Sequence, residues 1–431
     1  MSLPLTVYGY EDSSGNSIRY ASANEIRDNI QKGKSLNYDN YYITGYDLSN
    51  LEIEGDAHFN NTFFLDGVDF NSTVFKGNAY FKGATFSRYA TFIDTTFSRI
   101  ADFVGATFSK NTNFQRATFS GEALFWGDTW FGGEAYFGGA NFCNFTDFVG
   151  ATFNESAVFG AATFRGNAIF GANFRKDADF VIAKFNGYAD FFKAKFSGNS
   201  DFKYAQFDKE ATFDDAQFNG TVSFYSSRFK DDTLFENTTF GGVLDITRTK
   251  YEKLFIRWPS IKNGLVYDEN AYQQLIENFK NLGYSSDVDN SYYQFRKEQF
   301  SHRKMTDDIQ VYIFDLVAWY TYGFGKRPIF PLVWSAFFVL LFGGIWIAFG
   351  SKKSGNSERI RLDHIGNALC FSLTVFLSGT GKFFVNTPAT PEIHGRSRLM
   401  INSIFNLERL LGAFLSIMFI LAITGMVLKS V

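Results

Sequence analysis

The sequence predicts a parallel β-solenoid of stacked coils, followed by a helical linker and an α-helical module with two transmembrane spans. Three observations carry this expectation. Phe, 55 of 431 residues, recurs with a period of 11; Ala, Thr or Ser stands two residues before most of those Phe; and two long uncharged runs lie near the C-terminal end. With 45% hydrophobic and 20% charged residues the chain is neither disordered nor collagen-like. Its two cysteines, Cys143 and Cys370, are too few for a zinc site or a disulfide framework and favour a reducing compartment. A net charge of −3 gives no global field to attract nucleic acid. Met1 to Tyr20 lacks the basic start and apolar run of a secretory signal.

Phe stands at 59, 64, 70, 75, 81, 86, 92 and 97, with spacings that alternate five and six, and the alternation runs to Phe240. Trp130 takes the slot after Phe125, one residue is inserted before Phe137, and one is lost between Phe170 and Phe174. Inward positions two residues apart are those of extended chain, whereas a helix would space them by three and four. Short extended pieces closed by Gly, Ser, Asn or Asp therefore stack as coils with Phe in interior ladders. Segments such as Ala84-Thr85-Phe86-Ser87-Arg88 and Ala106-Thr107-Phe108-Ser109-Lys110 resemble the pentapeptide-repeat family. The resemblance covers 59 to 246 and implies a right-handed quadrilateral parallel β-helix with Phe and the small residue pointing inward. Lengthening every second unit to six implies about 22 residues per coil, one looser corner, and a rod of roughly 40 Å at about 4.8 Å per coil.

Residues 1–55 form the N-terminal cap: Ser22-Ala23-Asn24-Glu25 is a capping-box start for a helix ending near Gly33, and Ile43, Leu48, Leu51 and Ile53 lead into the first coil. The β-helix occupies 56–248. In the linker, 249–305, Leu254 to Trp258 reads as a closing strand. Tyr272, Leu275, Ile276, Phe279 and Leu282 mark one helix, stopped by Gly283, and Val288, Tyr292, Phe295 and Gln299 mark the next. Within 306–328, Ile309 to Phe324 carries a single charge, Asp315, and reads as a helix along the membrane interface.

Ile329 to Gly350 has 22 residues without a charge, and Leu410 to Leu428 has 19. About 20 apolar residues cross a bilayer, so 329–350 and 403–431 are assigned as the two spans. Both termini then share one side. His302-Arg303-Lys304 and Lys326-Arg327 favour the cytoplasm for that side, against Lys352, Lys353, Arg359 and Arg361 between the spans. The expected location is the cell membrane, multi-pass, with the repeat domain cytoplasmic. Inside 351–402, Ile365 to Gly381 is uncharged over 17 residues, too short to cross, and ends Ser378-Gly379-Thr380-Gly381. That pattern fits a re-entrant segment lining a pore.

Asn367 to Phe376, with Phe371 and Thr374, is similar to the pore helix of two-helix channels of the tetrameric potassium-channel class, placed at about 364–377. Glu408 to Phe414 is similar to the start of their inner helix, where Gly412 or Gly425 gives either a bend or a packing point. Tyr322 to Pro328 is similar to the stretch before the first span in fusions of such channels to pentapeptide repeats. The filter positions are Leu377, Ser378, Gly379, Thr380, Gly381 and Lys382: both Gly are kept, but the Thr, the aromatic and the acid of a potassium filter are absent. Lys382 repeated round an axis opposes cations. The resemblance implies a homo-oligomer in a lipid bilayer, tetramer favoured with other ring sizes open, passing ions through a non-potassium-type filter that is non-selective or anion-tolerant. The competing expectation is a membrane-anchored binding scaffold without conduction. Phe376 and Phe383 stand where a phosphate loop needs Gly and Ser or Thr. His58, His302, His364 and His394 are scattered, so no metal, cofactor or catalytic set is expected and the chain is not read as an enzyme. Residues 59–245 hold 21 Asp+Glu against 16 Lys+Arg, a net of −5 that is too small for a duplex mimic, and no nucleic-acid partner is expected.

Overall fold

The computed structural model describes residues 19–304, 309–350, 365–380, 385, 388 and 397–424, and divides into two compact units, Met1–Asp287 and Val288–Val431. In the first unit the chain winds into a parallel β-solenoid of about eleven turns, with a two-residue strand on each of four sides and four sheets of 11, 9, 9 and 11 strands. Successive coils pair in parallel 22 residues apart, as in Thr85↔Thr107 and Phe86↔Phe108.

Two kinds of corner alternate. In each five-residue step the chain makes a type II turn: in Phe70-Asn71-Ser72-Thr73 the Thr73 N–H donates to the Phe70 carbonyl at 3.0 Å, and Ser72 is left-handed at φ 56°. Left-handed residues recur at Asn61, Ser72, Gly83, Asp94, Gly105 and Arg116, one every 11. The six-residue steps bend more widely, so each coil has two wide corners rather than one. In the regular coils from Asn61 onward, apart from the irregular corner at Gly127, the residue after this recurring left-handed position is buried and is Ala, Thr or Ser. Where it is Thr, the hydroxyl is satisfied by the coil below: Thr73 donates to the Leu48 carbonyl at 2.7 Å and Thr249 to that of Phe224 at 2.7 Å. Asp residues just before an inward Phe brace the next turn, since Asp69, Asp147 and Asp179 each accept the backbone N–H two residues on at 2.8 Å.

Inside, Phe rings form four columns. Phe103 and Phe125 stack with centroids 5.0 Å apart and parallel rings, while Phe103 meets Phe114 of the opposite side edge-on at 5.5 Å and 81°. One assignment from the sequence is corrected here. Phe131, not Trp130, holds the slot after Phe125: Phe131 is 0% exposed and pairs with Phe108, whereas Trp130 faces outward with the Arg175 guanidinium 5.0 Å from its ring. The extra residue lies in the turn before it, where Gly127 is left-handed and the Thr129 hydroxyl donates to the Phe103 carbonyl at 3.0 Å. Inward direction is set by pairing with the coil below, not by counting from the preceding aromatic. The lost residue is the left-handed one, leaving Phe170-Gly171-Ala172 as a tighter turn.

Both ends of the stack are covered. A strand at Arg19–Ser22 pairs with Tyr41–Thr44, so helix α1 (Ala23–Gln31) forms part of the first coil. Ser22 caps it by accepting the Glu25 N–H at 3.2 Å, and Ile26 is buried. At the other end the strand Leu254–Phe255 is followed by a short helix α2 (Trp258–Ile261), not anticipated from the sequence, and by α3 (Glu269–Asn281). The buried Asn278 amide of α3 satisfies the Leu254 backbone: its Nδ2 donates to the carbonyl at 2.8 Å, and its Oδ1 accepts the N–H at 3.1 Å. A side chain thus closes an edge that would otherwise template further strands.

Helix α4 (Ser285–His302) begins in the last residues of the first unit. The second unit continues with α5 (Ile309–Tyr322), a turn at Gly323–Gly325, α6 (Ile329–Gly350), α7 (Ile365–Ser378) and α8 (Arg398–Thr424). α6 has the bounds assigned to the first span, and α8 starts five residues before the 403 assigned to the second. Ile329–Phe349 and Arg398–Thr424 are long and apolar enough to cross a membrane, with mean hydropathies of 2.2 and 1.9. Only 17% and 22% of their most apolar stretches are buried, whereas a core helix of a soluble protein would be mostly buried.

Phe131→Ala is expected to destabilise the solenoid by about 3–5 kcal/mol, and Trp130→Ala by less than about 1 kcal/mol, in denaturant unfolding; the reverse order would restore Trp130 to the core. A pH effect follows from Asp179, whose carboxyl is pushed up by burial, against the Val181 N–H that lowers it, with Asp201 one coil away adding to the rise. A raised native value means that this group's stability contribution is full below its unfolded value and is lost as pH rises through the native one. Asp179→Asn keeps the acceptor, so it should raise Tm at pH 7, with the difference closing below about pH 4.

Candidate functional site

The residues singled out from the sequence fall on α7 and α8, which pack with α6. The cluster they share holds Phe342 and Trp346 from α6, Ala368, Phe371 and Val375 from α7, and Ile401 and Phe405 from α8. Phe371 meets the Trp346 ring edge-on at 5.3 Å and 89°. Phe371 is therefore a core residue, while Thr374 is half-buried and donates its hydroxyl to the Cys370 carbonyl at 2.7 Å.

Two glycines set the distance between α7 and α8. A methyl on Gly412 would overlap the Phe376 carbonyl, and one on Gly379 would overlap the Arg409 carbonyl and sit 2.9 Å from the Ala413 N. Gly412 is thus a packing point rather than a bend, a small residue that lets two helices approach closely. At the end of α7 the hydroxyls turn back on the helix: Ser378 donates to the Val375 carbonyl and Thr380 to that of Leu377, each at 2.7 Å. Ser378 is buried, and Leu377 and Thr380 are half-buried. Gly381, Lys382 and Gly425 lie outside the described residues.

The most unusual group in this cluster is Glu408, 0% exposed and the one acid on α8. Trp346 Nε1 donates to its Oε2 at 2.9 Å, and Ser372 Oγ lies in hydrogen-bond contact with its Oε1. Ser372 Oγ is also 2.9 Å from the Val339 carbonyl oxygen, and one hydroxyl proton cannot serve both acceptors. Glu408 thus ties α6, α7 and α8 to one point. Motif reading placed Glu408 only as the first residue of an inner-helix segment; the signal available was a lone carboxylate inside an apolar helix, which demands partners.

A second polar centre precedes α6. Asp315 of α5, 1% exposed, is held by Arg296 and Arg303 at 2.7 Å each. Gly323, Phe324 and Gly325 are all left-handed, at φ 58°, 54° and 81°. Phe324 is buried with Ala318, Tyr322 and Ala422 of α8, and the Arg296 guanidinium lies 5.1 Å from its ring. A non-glycine residue held left-handed between two glycines stores strain of about 1–3 kcal/mol and persists because its surroundings fix it. Among the described residues no group of His, Cys, Asp and Glu could hold a metal ion.

Glu408→Gln, which keeps an acceptor for Trp346 and a donor for Ser372, should retain the stability of the purified chain in detergent. Glu408→Ala should lose about 1–3 kcal/mol by leaving buried donors unpaired, and Gly412→Leu should separate α7 from α8 and lower Tm further. Equal Tm values for the Gln and Ala variants would remove Glu408 from this role.

A family model of pentapeptide repeats, in nine copies, matches residues 48–96, 103–143, 169–217 and 202–250, all within the solenoid. No curated protein and no solved structure matches the chain.

Proposed function

We propose that this chain, whose solenoid is built of pentapeptide repeats, is a subunit of an oligomeric ion channel in which α6 and α8 cross the bilayer, α7 re-enters it, and the rod faces the cytoplasm. One observation carries the reading. α7 has 14 residues and no charge, and packs between two helices of bilayer length. At about 1.5 Å per residue it spans roughly 21 Å, short of the roughly 30 Å hydrocarbon core. An apolar helix too short to cross, ending at glycines, is the form a pore-lining re-entrant segment takes; a tether has no need of one.

Homo-oligomeric assembly supplies the ring that a pore requires, with four subunits by resemblance. Lys382 in the ring disfavours cations, so the conductance is non-selective or anion-tolerant. The cytoplasmic side is chosen for Arg303, Lys326 and Arg327, although Lys326 is paired with Asp289 at 2.6 Å and Arg303 with Asp315, which reduces their weight in the charge count. The left-handed turn at Phe324 supports a coupling route: it touches α4 through Arg296 and α8 through Ala422.

The purified chain in planar bilayers should pass unitary currents, and Lys382→Glu should shift the reversal potential toward cations. Absence of current under voltage, tension and changes of ionic composition would reject the channel reading.

A further inference from the structure

One side of the solenoid carries a column in which acid and aliphatic side chains alternate. On its five central coils, strands Ala101–Asp102, Ala123–Leu124, Thr146–Asp147, Ala168–Ile169 and Ala189–Asp190 pair in succession. The outward residue of each alternates between acid and aliphatic: Asp102, Leu124, Asp147, Ile169, Asp190. At the tight corner beside this column Trp126, Val149 and Phe192 are 45%, 45% and 43% exposed. On its other flank Phe145 and Tyr188 are half-buried. Apolar side chains on successive coils make a continuous patch rather than scattered exposure.

A second observation falls on the same place. Both departures from the repeat inside the Phe ladders, the extra residue between Phe125 and Phe131 and the missing one between Phe170 and Phe174, occur at this corner. The patch and the departures thus mark one side and one length of the rod.

The three aspartates are fixed in place. One oxygen of each accepts a backbone N–H, from Val104 at 3.0 Å, Val149 at 2.8 Å and Phe192 at 2.8 Å. They stand on alternate coils, so about two strand spacings, or roughly 9.6 Å, separate them. An extended polyproline-II segment advances about 9.3 Å in three residues. Half-buried carboxylates amid apolar side chains, with Glu122 and Asp128 nearby, outnumber the cations at this corner, Lys82 beside Asp102 and Lys193 at 4.7 Å from the Phe192 ring, so the face disfavours phosphates, anionic lipid headgroups and a second copy of itself.

We propose that this face binds an extended cationic polypeptide segment, with Lys or Arg at every third position set against Asp102, Asp147 and Asp190, and apolar residues between them covering Leu124, Trp126 and Ile169. The inference stands apart from the pore reading, since it needs only the solenoid. Burial pushes all three carboxyls up, against the backbone N–H that each accepts, and an arriving cation relieves that penalty.

The test uses the full chain in nanodiscs of zwitterionic lipid and a labelled peptide of about twelve residues repeating Val-Pro-Lys, followed by fluorescence anisotropy. Saturable binding that weakens with salt is expected. It should weaken about tenfold or more for Asp147→Asn with Asp190→Asn, which keeps the turn acceptors, and for a peptide of the same composition with its Lys residues contiguous. Absence of binding, or equal binding by the double variant or the rearranged peptide, overturns the proposal. So does concentration-dependent self-association of the nanodisc-held chain that Trp126→Glu abolishes, which would give the face to a second copy.

Discussion

Adjacent strands of a parallel sheet lie about 4.8 Å apart, and the rest of the solenoid depends on a side chain that can repeat at that interval. A phenyl ring can. Phe86 and Phe108 stack at 4.7 Å, and Phe103 and Phe125 at 5.0 Å, so one rotamer serves coil after coil. Such rings fill each side of the interior while backbone hydrogen bonds join each coil to the next. The small residue at the turn follows from the same packing, because the rings leave room for a methyl or a hydroxyl. Several columns end in aliphatics, Ile43, Leu48 and Ile53 at the start and Ile246 and Ile256 at the finish, while Tyr38 opens one column stacked on Phe59 and Phe240 closes another.

That regularity made most of the first unit legible in the sequence. The 11-residue period gave the coil, the Ser22 capping box gave α1, and the apolar runs gave α6 and α7. What escaped was determined by neighbours distant in the chain. Trp130 and Phe131 are equally plausible inward residues until pairing with Phe108 decides between them. The alternation of five and six hid two different turns, because a left-handed Ser72 or Arg116 carries no compositional mark as glycine does.

In the second unit, helix positions were readable and polar contacts were not. Uncharged length identifies a segment that avoids water, but the partners of Glu408 come from two other helices, and Asp315 is held by arginines 19 and 12 residues away. A lone acid in an apolar stretch states only that a partner must exist. Gly412 and Gly379 likewise showed as small residues. Only the meeting of α7 with α8 makes them contact points.

The two irregular corners at Trp126 and Gly171 bear on how such a chain can vary. One coil takes 23 residues and another 21, yet the strands on either side keep inward and outward residues in phase. Each change is absorbed where it occurs, so neither requires the other. In most sheets a one-residue slip turns a strand inside out; here chain length at a corner is nearly decoupled from the identity of the faces. Single-residue insertions and deletions thereby become a tolerated form of heredity for this architecture, letting corner loops diverge while the columns behind them stay the same.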